Sequence, residues 1–554
     1  MNRRTFLRQI LPAANNKPIP ETTTSLAIWQ PSKDNPWDSS AANYLYNRMG
    51  FGANYTELGA AVAMSPHDII KNLLDDSLLG SAKIPPPPDY SDQWLTVQPY
   101  TGTDDNQYHA QYDRYQNAKL DLQGSWMQLM TSPDAQFREK LAFFWSNHFV
   151  IGSEKMYYPH IIYKYIDYLR RNAWGNFKQI VKDITIDPAM LVYLDGIWNI
   201  SSNINENYAR EVMELFTMGR VDVNGNANYT QDDIRAVARA LNGWRYHTDV
   251  LTPEIMPPYF ANYYFDFTTK TTPFGAAAKV YGLDTASKYA LFGVDLEKIE
   301  ADIIELMFQM RSSQIAHHIV EKIYAYFVYA DTMGTAAQTV ISELADTFIQ
   351  SNWDMKTVLL QLFQSEHFFD LTHRASSIKS PVEFTLAALR KLNIAVNTFQ
   401  CCTLRLICSD MDQNILQPPN VKGWAGYRTW VNSTTLPKRN YDIIRNLVIN
   451  GWIDGRGINP HNGQVFDGIA WQDSDVLKWA SQFPDYQADY LSFVTELAVF
   501  LLPLEIGTDV ITQIATDNGP AHFYEWGSLP SDQTAGIVRK LVFAITQLAE
   551  FELQ

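Results

Sequence analysis

Cysteine is nearly absent from this chain of 554 residues, which contains only Cys401, Cys402 and Cys408. Adjacent cysteines bond to each other only with strain, and three thiols without a nearby histidine make a poor zinc site. The pattern favours three buried thiols that behave as small apolar side chains. A bridge from Cys408 to one of the other two stays open as the alternative, and it would indicate an oxidising compartment.

An excess of basic residues is also missing. Lysine and arginine number 44 against 60 aspartates and glutamates, so the formal net charge is −16, opposite in sign to that of a typical nucleic-acid-binding protein. No run of about 18 consecutive apolar residues occurs, which predicts no membrane-spanning helix. Apolar residues still make up 46% of the chain, and this content is typical of a large folded core rather than of a disordered chain.

Motifs that would assign a reaction are absent too. The sequence has no His-Glu-x-x-His zinc helix, no Gly-x-Ser-x-Gly elbow, no Walker A loop and no dinucleotide-binding glycine fingerprint. The stretch from Asp222 to Asn226 begins like a calcium loop, but Ala227 stands where the loop needs glycine. We therefore interpret this stretch as a turn, and any chemistry has to be sought in less specific clusters.

The N-terminal residues 1–36 are polar and interrupted by proline, which predicts a tail outside the folded domain. The run from Asn2 to Arg8 (NRRTFLR) is similar to a twin-arginine export signal. The apolar stretch that should follow is too short, because Ile10 to Ala14 leads directly into asparagines. We interpret the tail as a degenerate signal and expect a periplasmic or secreted protein. A cytoplasmic protein with an ordinary basic tail is the alternative.

From residue 37 onward, apolar residues recur with helical spacing, which predicts a mainly α fold in one large helical domain over 37–550. A surface-loop insertion is expected at about 81–116, and an irregular, aromatic-rich insertion with at most minor β-hairpins at 246–283. Beyond helices starting near Ser65 and Ser132, helices are predicted around 160–185, 205–218, 231–243, 297–311, 315–330, 335–350, 354–364, 381–392, 440–450, 475–502 and 534–550.

The segment 205–218 has the clearest helix signals. Asn203 can cap it, with Glu206 three residues later as in a capping box, and Gly219 can supply the left-handed residue that ends it. One face of this helix is apolar. The opposite face carries four polar residues with two carboxylates among them, namely Asn207, Arg210, Glu211 and Glu214.

The segment 231–243 is predicted to pack antiparallel to 205–218 through a short connection. Its polar face carries Arg235, Arg239 and Asn242, with Trp244 directly after it. We expect the two polar faces to meet, so that carboxylates of one helix contact guanidinium groups of the other. These residues and Asn207 and Arg210 form the predicted structural network.

Two interpretations of this cluster remain open. In the structural one, the arginines pair with Glu211 and Glu214 and only lock the helices together. In the functional one, Glu211, Glu214 and His148 surround a cleft that binds a metal ion of undetermined kind or a polar substrate. His148 lies on an apolar helical face beside Phe144 and Trp145, so a buried, neutral histidine is the alternative role for it.

Short motifs found in order along the chain resemble the large bacterial family known as domain of unknown function 1800. They are Asn47 to Gly52; Arg138 to Lys140 with Phe144 to Phe149; Asn205 to Glu211 with Glu214, Leu215 and Gly219; Tyr229, Thr230 and Asp233 with Ala240 to Trp244; Lys322 with Phe327 and Val328; Lys379 to Phe384; and Pro418 to Trp424 with Trp430.

The resemblance implies an exported protein, since members look exported and are often encoded beside a second exported family with a phosphatase- or sulfatase-like fold. It therefore also implies a protein partner from that second family. The sequence departs from the pattern in two places. The histidine that usually precedes the motif matched by Lys279 to Gly282 is missing, and Ser312-Ser313 replace a His-Pro pair. If those histidines are ligands in relatives, the site is lost or rearranged here.

Two functions follow from the sequence as hypotheses. The first is an extracytoplasmic interaction or scaffold component that acts with the exported partner. The second is a hydrolytic or oxidative enzyme that uses Glu211, Glu214 and His148, with or without a metal. The residues leave the identity of any cofactor or metal undetermined.

Overall fold

A computed structural model of the chain describes residues 22–75, 105–247, 256–266, 273–275, 299–458 and 463–554. In this part of the chain the regular structure is almost entirely helical, with two small two-stranded sheets, which confirms the mainly α prediction. No helix in these ranges has both the length and the apolar character needed to cross a membrane. The arginine-containing run at the N-terminus and the stretch from Lys279 to Gly282 lie outside the described residues.

The helices, labelled in chain order, have the following bounds. In the first half they are α1 (Ser39–Met49), α2 (Tyr55–Val62), α3 (Pro66–Leu73), α4 (Asp105–Met130), α5 (Gln136–His148), α6 (Pro159–Arg171), α7 (Phe177–Thr185), α8 (Pro188–Tyr193), α9 (Asn207–Glu211, continued as a π-helix over Val212–Phe216) and α10 (Gln231–Ala240). In the second half they are α11 (Ile299–Met310), α12 (Ser312–Phe327), α13 (Thr335–Gln350), α14 (Met355–Phe363), α15 (Pro381–Lys391), α16 (Thr398–Asp410), α17 (Thr435–Lys438, continued as a π-helix over Arg439–Ile449), α18 (Asp473–Ala480), α19 (Tyr490–Leu501), α20 (Thr508–Asn518) and α21 (Ser531–Thr546).

Local sequence explains why many of these helices begin where they do. Ser380 caps α15 through its hydroxyl while the Glu383 carboxylate accepts from the Ser380 N–H, and Pro381 occupies the first helical position. Thr230 and Asp233 form the same reciprocal pair at the start of α10, in the sequence spacing typical of a capping box. These caps satisfy N–H groups that have no partner inside the helix.

One continuous cluster of buried apolar side chains extends from Trp29 to Phe551. Helix α4 packs along α16 in its interior. A side chain at Gly124 would collide with Cys402, so the glycine allows these two helices to approach closely. The connected core agrees with one large helical domain, but it includes Trp29, which is buried and stacks on Phe369 although the sequence predicts a tail up to residue 36; the bounds 37–550 stay a prediction.

Helix α5 lies inside this core and carries charged residues there. Arg138, Glu139 and Lys140 are each at most 1% exposed. Glu139 pairs with Arg170 at 2.8 Å, and Lys140 pairs with Glu383 of α15 at 2.5 Å. Because a buried charge without a partner is strongly destabilising, these pairs fix the position of α5 relative to α6 and α15.

Several predictions about secondary structure are wrong in detail. The predicted helix 475–502 is two helices, α18 and α19, and α20 is not in the predicted set. The expected loop at 81–116 is helical from Asp105 onward, where α4 begins, and 76–104 lies outside the described residues. The predicted helix 160–185 is two helices, because the chain turns at Gly175 and restarts behind the cap Asn176. Helix α16 is not in the predicted set. Most of its residues are buried, so its apolar residues are not confined to one helical face. The spacing that would predict a helix is therefore missing from the sequence.

Other predictions are confirmed. Within the aromatic-rich stretch 246–283, the described part contains a small antiparallel hairpin. It pairs β1 (Trp244–Tyr246) with β2 (Pro258–Phe260), with Trp244 opposite Phe260; β3 (Trp452–Ile453) and β4 (Ile469–Ala470) form the other sheet. Cys401, Cys402 and Cys408 are all buried, and no disulfide joins them in this structure.

Candidate functional site

Helix α9, which contains the two candidate carboxylates, starts later than predicted. Asn205, rather than Asn203, accepts from the first helical N–H, that of Asn207, at 2.9 Å. Glu206 makes no capping hydrogen bond, so the predicted capping box is wrong. The helix then widens, and the N–H groups of Met218 and Gly219 both donate to the Met213 carbonyl at 3.2 and 3.1 Å. Gly219 has the expected left-handed conformation, with φ of 73°.

Helices α9 and α10 do pack together, but the acid at their contact is Glu206. Its carboxylate lies 3.5 Å from Arg235 and 3.3 Å from Arg210, and it accepts from Gln231 at 2.7 Å. Arg235 and Arg210 are largely exposed, so these pairs stabilise the helices only weakly.

The other members of the predicted network have different partners from those expected. Arg239 pairs with Asp266 at 2.7 Å rather than with Glu211 or Glu214. Asn242 is buried and accepts from the Asp266 N–H at 3.2 Å. Trp244 packs edge-on against Phe260, while Asn207 donates to the Leu194 carbonyl. These contacts connect the end of α10 to Phe260 and Asp266, and α9 to the end of α8.

Glu211 and Glu214 are neighbours on α9, but only Glu214 lines a surface hollow. Glu214 accepts a hydrogen bond from the Tyr229 hydroxyl at 2.8 Å, in a surface hollow that also includes Arg210 and Arg220. Glu211 is half-buried; burial, and then the neighbouring Glu214 charge, raises its pKa, against the effect of Arg210 and Lys422. Lys422, whose charge acts on Glu211, lines a different cavity, which is described below.

His148, at the end of α5, reaches the C-terminal end of α9 instead of its carboxylates. Its Nε2 lies 3.0 Å from the Phe216 carbonyl, and its Nδ1 lies 3.2 Å from the Lys322 amine. Because a carbonyl only accepts, Nε2 carries the proton and Nδ1 accepts from Lys322. Burial, followed by the charge of Lys322, holds the pKa of His148 well below its ordinary value. Burial and two hydrogen-bonded ring nitrogens are the arrangement expected of the alternative, a buried, neutral histidine.

His148 also lines a cleft of about 580 Å³, which we call the Lys322 cleft. Its walls come from α5, α12, the approach to α15 and the loop 422–430. The lining residues that matter below are Phe144, His148, Lys322, Tyr326, Glu383, Lys422, Trp424, Arg428 and Trp430.

The loop 422–430 is held against α5 by Asn147. The Asn147 carboxamide accepts from the Trp424 N–H at 2.8 Å and donates to the Trp424 carbonyl at 3.3 Å. Gly423 has a φ of 77°, and a Cβ there would overlap Asn147. Glycine at this position therefore lets the loop place Lys422 and Trp424 on the cleft wall.

Lys322 projects from α12 into the space between His148 and α9. Besides contacting His148, its amine donates to the Leu215 carbonyl at 2.7 Å. Burial lowers its pKa to about 8. His318, one helical turn earlier, is also largely enclosed; burial and then the Lys322 charge lower its pKa to about 3. The amine thus lies between two imidazoles that stay neutral near pH 7.

Charges in the Lys322 cleft are unbalanced. The negative charge of Glu383 is balanced by Lys140. Burial raises the pKa of Glu383, but Lys140 and the Ser380 cap outweigh that effect and lower this pKa to about 2. Lys322 and the exposed Lys422 and Arg428 also line the cleft. Within the described part of the chain, none of these three cations is in a salt bridge. The cleft therefore presents net positive charge beside aromatic walls.

The structure does not group the predicted carboxylates and histidine as ligands. Among the described residues, no three His, Cys, Asp or Glu side chains lie close enough together to hold one metal ion. Of the candidates, His148 lines the cleft, Glu211 lies near its residue Lys422, and Glu214 belongs to another hollow.

Sequence reasoning missed Lys322, Lys422 and Arg428 as site residues. A signal for the first two was present, because both occur within the ordered motifs, at Lys322 and in the run from Pro418 to Trp424. Neither residue stands out locally, since a lone lysine on a helix or loop is normally solvated.

The family model described as "Protein of unknown function (DUF1800)" matches residues 44–531, which is most of the chain. No curated protein and no solved structure gives a significant match. The matched range includes α5, α12 and the loop 422–430, and so nearly the whole of the Lys322 cleft. The chain belongs to the DUF1800 family.

Proposed function

We propose that this protein binds a small organic anion in the Lys322 cleft, with a carboxylate, phosphate or sulfate group next to an apolar or aromatic portion. The observation that carries the proposal is the partly buried Lys322 ammonium, which has no carboxylate partner among the described residues. A desolvated charge of this kind is costly unless an opposite charge is supplied. An anionic ligand would supply it.

The surroundings of Lys322 support the same ligand class. Lys422 and Arg428 lie on the opposite loop and can contact an anionic group. Phe144, Trp424 and Trp430 are buried wall residues that offer apolar surface. In a chain with a net charge of −16, a locally positive cleft would concentrate anions at one place.

A purely structural role for Lys322 accounts for less of the arrangement. Its contact with the Leu215 carbonyl places it at the C-terminal end of α9, where a cation compensates roughly half an elementary charge of the helix dipole. This stabilises α9, but it does not explain why Lys422 and Arg428 line the same cleft as a lysine that is already used as a cap.

Calorimetric titration with matched aromatic ligands tests the proposal. We expect phenylacetate or phenyl phosphate to bind the wild-type protein, and uncharged phenylacetamide to bind at least about tenfold more weakly, the factor expected for losing about 1.4 kcal/mol. Lys322→Met should abolish this preference for the anion. Lys540→Met, at an exposed lysine of α21, is the matched control and should keep it. Equal binding of the charged and uncharged ligands, or an unchanged preference in Lys322→Met, would overturn the proposal.

An interaction role outside the cytoplasm is a second proposal. Its structural support is an exposed aromatic surface formed by Trp198 and Tyr263, which are 62% and 88% exposed. Their segments are joined by a hydrogen bond from the Ser201 N–H to the Tyr264 carbonyl. Exposed aromatic side chains on neighbouring segments are typical of protein interaction surfaces. The partner proposed from the family resemblance is the exported phosphatase- or sulfatase-like protein.

This second proposal has two independent tests. Export is measured with a periplasmic reporter fused after residue 36, and replacing Arg3 and Arg4 by lysine should abolish reporter activity. Association is measured by co-purification of the co-expressed partner, which Trp198→Ser together with Tyr263→Ser should weaken. A reporter that stays in the cytoplasm would contradict export. Co-purification that is unchanged by the two serine substitutions would contradict association through this surface.

Hydrolysis or oxidation by Glu211, Glu214 and His148 acting together has weaker support. Glu214 is engaged by Tyr229 in a separate hollow, and both ring nitrogens of His148 have partners. We therefore centre the proposal on Lys322.

A further inference from the structure

We infer that the Lys322 amine is a covalent site, which condenses with the carbonyl group of an aldehyde or 2-oxo acid to form an imine. This inference rests on the proposed binding of an organic anion in the same cleft, and it narrows the ligand to one with a carbonyl next to its anionic group.

The geometry at the nitrogen carries the argument. Two acceptors, His148 Nδ1 at 3.2 Å and the Leu215 carbonyl at 2.7 Å, lie around Lys322 Nζ. A neutral amine has two N–H bonds and one lone pair, so both N–H bonds can be taken up by these acceptors. The lone pair then occupies the remaining position, for which the described residues offer no hydrogen-bond donor or carboxylate, and Lys322 lines the open cleft.

The groups that face Lys322 favour a nucleophilic amine over a permanently charged one. His148 comes from α5, and His318 lies on α12 itself. Burial keeps both imidazoles neutral, and neither supplies a negative charge that would hold the amine protonated. Glu321 is the acid that acts on Lys322 electrostatically, but its carboxylate accepts from the Thr332 hydroxyl at 2.6 Å instead. Burial lowers the Lys322 pKa to about 8, which leaves part of the amine unprotonated near neutral pH.

The proposed step needs no oxidant or metal. The nitrogen lone pair attacks the carbonyl carbon, a C–N bond forms, and the carbonyl oxygen becomes a hydroxyl group. That oxygen leaves as water with both protons of the neutral amine, and a C=N bond remains; if the imine takes up one proton, its N–H has His148 Nδ1 and the Leu215 carbonyl as ready acceptors. Lys422 and Arg428 would hold the carboxylate of a 2-oxo acid.

Reductive trapping tests the inference. Wild-type protein is incubated with phenylpyruvate and cyanoborohydride near pH 7.5, and adducts are located by intact mass and peptide mapping. We expect one adduct at Lys322 to form at least about tenfold faster than adducts at the exposed Lys540, because a lowered pKa leaves more free amine. Lys322→Arg should lose the fast adduct, and Lys540→Met should retain it. Modification of Lys322 no faster than Lys540 would overturn the inference.

The same experiment separates this inference from the proposed function. Anion binding is measured separately by calorimetry of the wild-type protein with phenylacetate, and Lys322→Arg serves only to locate the trapped adduct, because arginine does not form it. Anion binding without fast trapping refutes the imine and leaves the anion site. Fast trapping at Lys322 that excess phenylacetate does not slow supports the imine and refutes anion binding in the cleft.

Discussion

The Lys322 Nζ lies 3.2 Å from the His148 Nδ1, so that a partly buried amine and a buried imidazole, 174 residues apart in sequence, share one hydrogen bond. Through Leu215 and Phe216, both groups also bind the carbonyl end of α9. These contacts connect α9, the segment with the clearest helix signals in the sequence, to the Lys322 cleft.

Stability should fall in acid partly because of His318. Burial lowers its pKa from 6.5 to about 3, so the folded state disfavours the proton that the unfolded state binds. The histidine's contribution is therefore intact above about pH 6.5 and is lost progressively as the pH falls toward 3. Urea unfolding at pH 7, 6, 5 and 4 should show wild-type stability falling faster than that of His318→Asn, by about 1 kcal/mol per pH unit. Parallel pH profiles would contradict this assignment.

The buried pair Lys140–Glu383 should be sensitive to the loss of one partner. Glu383→Gln leaves the Lys140 charge without its partner at 2.5 Å, and we expect a loss of about 3–5 kcal/mol in the free energy of unfolding. The matched control is Asp232→Asn, which breaks an exposed pair with Arg235 and should cost less than about 0.5 kcal/mol. Similar losses in the two variants would mean that Lys140 is not buried with Glu383.

Gly423→Ala should destabilise the cleft loop by two effects. A residue with φ of 77° is strained when it carries a Cβ, and this Cβ would also overlap Asn147. Gly225 has a similar φ of 82° with open space around it, so Gly225→Ala measures the backbone strain alone, about 1–2 kcal/mol. Thermal unfolding should show a clearly larger loss for Gly423→Ala. Equal losses would indicate that Asn147 moves aside freely.

Glu214→Ala should have a modest effect. The carboxylate accepts from the Tyr229 hydroxyl at 2.8 Å in a partly buried position, and a hydrogen bond of this kind contributes about 0.5–1.5 kcal/mol. Tyr229→Phe removes the same bond from the other side, and a double-mutant cycle by urea unfolding isolates it. A loss of several kcal/mol from Glu214→Ala alone would instead indicate a buried charge network.

The sequence predicts the fold class well and the cleft poorly, for physical reasons. Helical spacing and caps are local properties, so the start of α10 at Thr230 and the left-handed Gly219 could be read directly. The cleft is assembled from α5, α12 and the loop after Lys422, and nothing in one sequence says which distant segments meet. The π-helical turn of α9 could not be predicted for the same reason. It ends at carbonyls that are bound by Lys322 and His148, two residues from distant segments of the chain.

The close packing of α4 on α16 has a consequence for how the chain folds. The glycine contact between Gly124 and Cys402 joins positions almost 280 residues apart, and the partner surface does not exist until most of the polypeptide has been synthesised. Contacts of such long sequence separation slow folding and leave apolar surface exposed in the meantime. The nascent N-terminal half is therefore expected to need protection from aggregation until its C-terminal half is complete.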